Sequence, residues 1–184
     1  MRGLMLNLVE EMVKAEHGIA AWDDVIDTSL ASGIYTSLGT YPDDELTMVV
    51  ASVAELTGVS ESTVRLEAGR QGMPTLARRY PEFFLRHTDV VSFLLTLNSV
   101  VHAEVQKFDP EADRLLFDYR PLEGGGLDLL YTSERGLCDL AEGLMIGAVA
   151  HYGRGEQVTH PECMRRGDPC CVLRVLRVLR LGPP

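Results

Sequence analysis

LNSVVHAEVQKF, residues 97–108, sets a histidine inside a run that otherwise reads as a core helix. At helical spacing Val91, Leu95, Asn98, His102 and Val105 share one face. An imidazole on such a face needs a partner, because a buried polar group left unpaired costs roughly 1–3 kcal/mol. A backbone carbonyl, a carboxylate, a water or a metal ion would each serve. The stretch also marks the point where the chain changes character.

Upstream, the pattern is helical. Leu4, Leu8 and Met12 give residues 3–17 an apolar stripe that Gly18 ends, and a second helix runs over 20–30 with Trp22, Val25 and Ile26 inward. SGIYTSLGTYPDD is a loop. Asp43 and Asp44 are expected to cap a helix carrying Leu46, Val49, Val50, Val53 and Leu56, and Ser60 with Thr63 to open the next. Pro74 and Pro81 should then break the chain into short pieces, and Thr88 or Asp89 should cap one long helix reaching about Phe108.

Beyond Pro110, RLLFDYRP and GLDLLYTS flank an EGGG turn and predict an antiparallel pair. SERGLCDLAEGLMIGAVAHYG returns to helix with Leu137, Leu140, Leu144 and Ala148 in one stripe, and EQVTH and CCVLRVLRV read as two last strands. The fold class is therefore α+β: a helical N-terminal half, then a C-terminal half with an antiparallel sheet and a packed helix. A cleft between such halves is a natural ligand site.

Bulk properties narrow the function. A chain of 184 residues suits one domain, and 46% hydrophobic with 24% charged residues is the composition of a folded protein. No apolar run approaches the roughly 20 residues of a membrane span, and the start lacks the apolar core of a signal peptide, which predicts a cytoplasmic protein. A net charge of −10 disfavours nucleic acid and anionic membranes as partners. No Gly-rich phosphate loop and no catalytic constellation is present, so an enzyme is not expected.

YTSERGLC, residues 131–138, carries donors. In an extended segment Tyr131, Ser133 and Arg135 point the same way and suit one or two carboxylates, Arg through a charge-assisted pair. Equally, Ser133 could cap the next helix while Arg135 lies on the surface and Tyr131 ends a strand. All four cysteines fall after residue 137. His160-x2-Cys163 with Cys138 and Cys171 can close a tetrahedral zinc shell, spacing favours Cys171 over its neighbour Cys170, and reduced buried thiols are the plainer alternative.

Tyr-x-Ser-x-Arg, downstream of a histidine in the form V-V-H-x-E-V, resembles the haem-nitric oxide/oxygen-binding (H-NOX) family, as do the opening MRGLMLNLVEEMV, Trp22 and the AEGLMIGA helix. The resemblance spans nearly the whole chain. It implies a single domain over residues 1–184, helical and distal to about residue 60 and proximal thereafter, with haem b in the cleft between the halves. His102 would be the proximal iron ligand, and Tyr131, Ser133 and Arg135 would hold the propionates. Met5, Met73, Leu76, Leu140 and Leu144 would line the distal pocket. Oxygen-binding relatives carry a tyrosine where this chain has Leu140, which implies a sensor of nitric oxide and CO that excludes dioxygen.

Signalling would follow release of the His102–iron bond, to a histidine kinase or cyclic-di-GMP enzyme on a separate polypeptide. A zinc site at Cys138, His160, Cys163 and Cys171 resembles one in a subset of bacterial members, with Cys170 as a candidate resolving thiol. The chain departs from the family at Asp113, where many members place a proline, and at Gly72 and Pro74, where relatives vary. A zinc/thiol redox sensor, or a module for a different apolar ligand, is the rival reading.

Overall fold

The computed structural model describes residues 2–99, 117–132 and 135–177. His102, Ser133 and Asp113 lie outside the described residues. The chain divides into two compact units, Met1–Gly72 with Asp139–Leu144 and Met73–Cys138 with Met145–Pro184.

The first unit is helical. Helix α1 (Gly3–His17) buries Leu6, Leu8, Val9 and Val13, α2 (Ile19–Ser29) buries Trp22 and Val25, and α3 (Asp43–Thr57) buries Leu46, Val49, Val50 and Val53. These stripes recur every three or four residues, so the three helices pack on one another through a shared apolar interior. Asp43 and Asp44 do not cap α3. Pro42 holds the N-cap position, and both acids sit in the first turn, where the unpaired N–H groups and the helix dipole favour negative charge. The α2–α3 loop is tied by Glu45, whose Oε1 accepts from the Ser32 N–H at 2.7 Å and the Tyr35 hydroxyl at 3.1 Å.

Helix α4 (Glu61–Arg79) starts as the sequence predicts, with the Ser60 hydroxyl accepting from the Thr63 N–H at 3.1 Å. It does not break at Pro74. The proline lacks one N–H, and the good helix formers around it carry the helix a further turn to Arg79. Helix α5 (Pro81–Phe84) is one turn, and α6 (Val90–Leu94) is capped by Asp89, whose Oδ1 accepts from the Ser92 N–H at 2.9 Å.

The expected uninterrupted helix from residue 89 is a further correction. Helical structure stops at Leu94 and resumes at 97–99, because the Thr96 N–H and hydroxyl both donate to the Phe93 carbonyl, at 3.0 and 2.7 Å, and tighten the turn between.

Four antiparallel strands follow in the order β1-β2-β4-β3: β1 (Asp118–Leu122), β2 (Gly126–Tyr131), β3 (Glu156–Glu162) and β4 (Cys171–Arg177). Gly124 and Gly125 turn β1 into β2 at φ of 91° and 90°, values that L side chains resist. Leu127, Leu129 and Tyr131 of β2 stand opposite Val175, Leu173 and Cys171 of β4, so one sheet face is apolar and ends in a cysteine. On the other face Asp128 is fully buried and its carboxylate receives Arg174 in a two-point pair at 2.6 and 2.9 Å. Helix α7 (Cys138–Tyr152) connects β2 to β3. Within the first unit, its Gly143 lies so close to α4 that an added Cβ would sit 1.9 Å from the Leu66 carbonyl oxygen.

Candidate functional site

Three elements of the second unit bring the cysteines together. Cys138 opens α7, Cys171 opens β4, and Cys163 lies between β3 and a short 3-10 turn, Met164–Arg166. His160 comes from β3, where the β3–β4 register shifts between Thr159 and Glu162. One ligand atom from each of Cys138, His160, Cys163 and Cys171 falls within 4.8 Å of the others. The Cys163 sulfur is 3.7 Å from that of Cys138 and 4.0 Å from that of Cys171.

Those separations suit a tetrahedral ion, since zinc–sulfur bonds of about 2.3 Å place ligand sulfurs roughly 3.8 Å apart. Cys170 is half-buried and outside the group, so the structure gathers Cys171 and leaves out its neighbour.

The surrounding loop holds this geometry. Asp168 Oδ2 accepts from the Cys163 N–H at 2.7 Å, and the Cys163 carbonyl accepts from the Arg166 N–H at 2.8 Å. The Met164 N–H donates to the Cys171 sulfur at 3.3 Å. Burial pushes the Cys171 thiol up from its ordinary pKa, and the Met164 N–H works against that shift. Sequence reading named the four side chains that converge here and missed both supports. Asp168 sits in the turn sequence RRGDP, a visible signal, but a backbone donor such as the Met164 N–H carries none.

Of the haem candidates, Tyr131 is buried at the end of β2, stacked on Phe117 with ring centroids 5.7 Å apart, and its ring belongs to the core cluster of Cys138, Cys163 and Cys171. Arg135 is exposed in the turn before α7. His102 and Ser133 are outside the described residues. Of the distal candidates, Leu140 is buried while Met5 and Leu144 are half-buried, all in the first unit; Met73 is buried and Leu76 half-buried in the second. Asn98, named only as a neighbour on the histidine's helix face, proves to be structural. Its Nδ2 donates to the Phe117 carbonyl at 2.6 Å and its Oδ1 accepts the Phe117 N–H at 3.0 Å.

A family model for Haem-NO-binding proteins matches residues 2–160. The chain belongs to the Haem-NO-binding, or H-NOX, family. The fold agrees. An H-NOX protein from S. oneidensis, solved in the Fe(II)NO ligation state, matches with a TM-score of 0.87 and 28% identity over 97% of this chain and 100% of that one. The H-NOX domain from Shewanella oneidensis in the Fe(II)CO ligation state matches with a TM-score of 0.85 and 28% identity, over 97% of this chain and 99% of that one. The Fe(II) unliganded H-NOX protein from K. algicida, 22% identical with a TM-score of 0.83 over the whole of both chains, shares the fold. No curated protein matches the sequence. Among the described residues, no helix of this H-NOX chain is long and apolar enough to cross a membrane.

Proposed function

We propose that this H-NOX protein is a cytoplasmic sensor, not an enzyme, that holds haem b, takes nitric oxide or CO, excludes dioxygen and reports to a separate polypeptide. The observation that carries the reading is the family match over residues 2–160, supported by likeness to the S. oneidensis protein solved with Fe(II)NO. In this reading His102 ligates the iron, and Tyr131, Ser133 and Arg135 hold the propionates.

The donor chemistry fits. A phenol and a guanidinium suit carboxylates, and Met5, Met73, Leu76, Leu140 and Leu144 offer only thioethers and aliphatic groups to an apolar macrocycle. Ferrous haem, when bound, would supply an iron centre that takes up a diatomic gas. Leu140 decides the choice of gas, because it has no N–H or O–H to donate to polarised dioxygen. His102 would hold the iron and so would couple gas binding to the segment that carries it, for a histidine kinase or cyclic-di-GMP enzyme in trans to read.

An absorption spectrum tests this. The purified ferrous protein should show a Soret band that shifts with nitric oxide or CO and stays put in air. His102→Gly should alter the ferrous spectrum, and Leu140→Tyr should introduce an oxygen-dependent shift. A colourless protein that refuses added haem, or a His102→Gly spectrum identical to the original, overturns the reading.

The convergent sulfurs favour a second reading in which the Cys138–His160–Cys163–Cys171 group binds zinc and its thiol state is an input. Elemental analysis should return one zinc per chain, lost in Cys171→Ser and kept in Cys170→Ser. Zinc retained by both variants would reject this ligand set.

A further inference from the structure

One segment carries most of the chain's excess negative charge. Between His17 and Arg65 there is no lysine, arginine or histidine, and there are eight acidic residues, against a net charge of −10 for the whole protein. Glu45 is buried and hydrogen-bonded; the other seven are exposed. Glu10 is matched by Lys14 and Glu67 by Arg70, and within the segment Glu61 is matched by Arg65 at its edge. The carboxylates of Asp23, Asp24 and Asp27 on α2 and of Glu55 on α3 have no such cation among the described residues. Like charges at Asp23, Asp24, Asp27 and Glu55 repel, and no cation pairs with these four among the described residues.

The same face exposes apolar side chains. Met48 and Leu56 stand two turns apart on α3, 39% and 48% exposed, with Val59 just past the helix end at 42%. Between α2 and α3 runs a groove of about 210 Å³ lined by Asp24, Val25, Thr28, Ser52, Glu55 and Leu56. Its floor is apolar at Val25 and Leu56, and a carboxylate stands on each wall, Asp24 from α2 and Glu55 from α3.

Single exposed apolar residues are ordinary on protein surfaces. Here Leu56 lines a groove whose walls carry unmatched charge, and Met48 lies two turns away on the same stripe of α3. We propose that the α2–α3 face is a docking surface for a basic amphipathic helix of a partner protein. Its apolar stripe would lie along Val25 and Leu56, and lysines or arginines flanking that stripe would pair with Asp24, Asp27 and Glu55. The carboxylates repel nucleic acid, and a small cation would leave the apolar floor exposed, so charge and shape together select this occupant. The proposal is independent of haem.

The test uses the full-length protein and a synthetic helical peptide with leucines along one face and lysines flanking them. A control peptide has the same composition scrambled so that no apolar face forms. Titration followed by backbone amide shifts should place the helical peptide on α2 and α3, with affinity falling as salt rises. Asp24→Asn/Asp27→Asn/Glu55→Gln and, separately, Leu56→Ser should each weaken binding at least about tenfold, as truncation of the central hot-spot groups of an interface does. An unchanged far-ultraviolet circular dichroism spectrum confirms that both variants fold. Equal binding of the scrambled peptide, undiminished binding by both variants, shifts confined to other elements, or concentration-dependent self-association through this face would each overturn the proposal.

Discussion

Tyr131 and Cys171 stand directly opposite each other across the β2–β4 ladder and share one buried cluster with Cys138 and Cys163. A residue assigned to haem by the family resemblance thus packs against the candidate metal centre. Tyr131→Phe keeps the ring and its stacking on Phe117, so stability should change by less than about 1 kcal/mol while haem affinity falls. Tyr131→Ala empties the cluster and should cost about 3–5 kcal/mol by urea denaturation. Equal losses in the two variants would show that the hydroxyl, not the ring, holds this core.

Asn98 should be a stability residue of the second unit. Asn98→Ala strands both backbone polar groups of Phe117, which predicts a loss of roughly 1–3 kcal/mol in chemical denaturation. Asn98→Asp retains the acceptor for the Phe117 N–H and loses the donor to its carbonyl, so it should not restore full stability. A loss below about 0.5 kcal/mol in Asn98→Ala would show that water replaces the clamp.

Gly143→Ala should damage the packing of α7 on α4. The new methyl would meet the Leu66 carbonyl oxygen at 1.9 Å, backbone that cannot rotate away. Overpacking of this kind costs about 1–3 kcal/mol, visible as a lowered Tm. Gly143→Ser adds a further heavy atom at the same point and should lower the Tm at least as much. An unchanged Tm in both variants would show that the two helices separate without cost.

Acid should loosen the α2–α3 loop through Glu45. Burial raises its carboxyl pKa, but hydrogen bonds from Ser32 and Tyr35 outweigh that effect and leave it below the ordinary carboxylate range. Its contribution is therefore present above the unfolded pKa of about 4.3 and is lost as pH falls through the lower folded value. Glu45→Gln should remove this part of the acid dependence, giving a flatter stability profile between about pH 5 and pH 3. An unaltered profile would assign the acid sensitivity to other carboxylates.

Elements with a strong local period are legible in the residues alone. The stripes of α1, α2 and α3 (except Leu56, which α3 leaves exposed), the EGGG hairpin and the final strands stand where the sequence places them, because apolar spacing and glycine conformational freedom are local properties. The fold class follows, and so does the family, since Tyr131, Ser133 and Arg135 lie within five residues of one another. Local signals mislead at Pro74, where helix formers on both sides carry the chain past the missing N–H, and at Thr96, where side chain and backbone converge on the Phe93 carbonyl.

Sequence by itself determined the α+β class, the acidic balance, the candidate ligands and the absence of any side-chain donor at Leu140. Tertiary structure brought Cys171, which the spacing favoured over Cys170, together with Cys138, His160 and Cys163, and it alone decided that Asn98 grips Phe117 across the intervening segment. It also decided that unmatched carboxylates from α2 and α3 face one groove. The division has a physical reason. Helical and strand periods are set by the nearest few residues, whereas convergence of side chains distant along the chain depends on strand register, helix approach and the backbone donors that a particular packing leaves within reach.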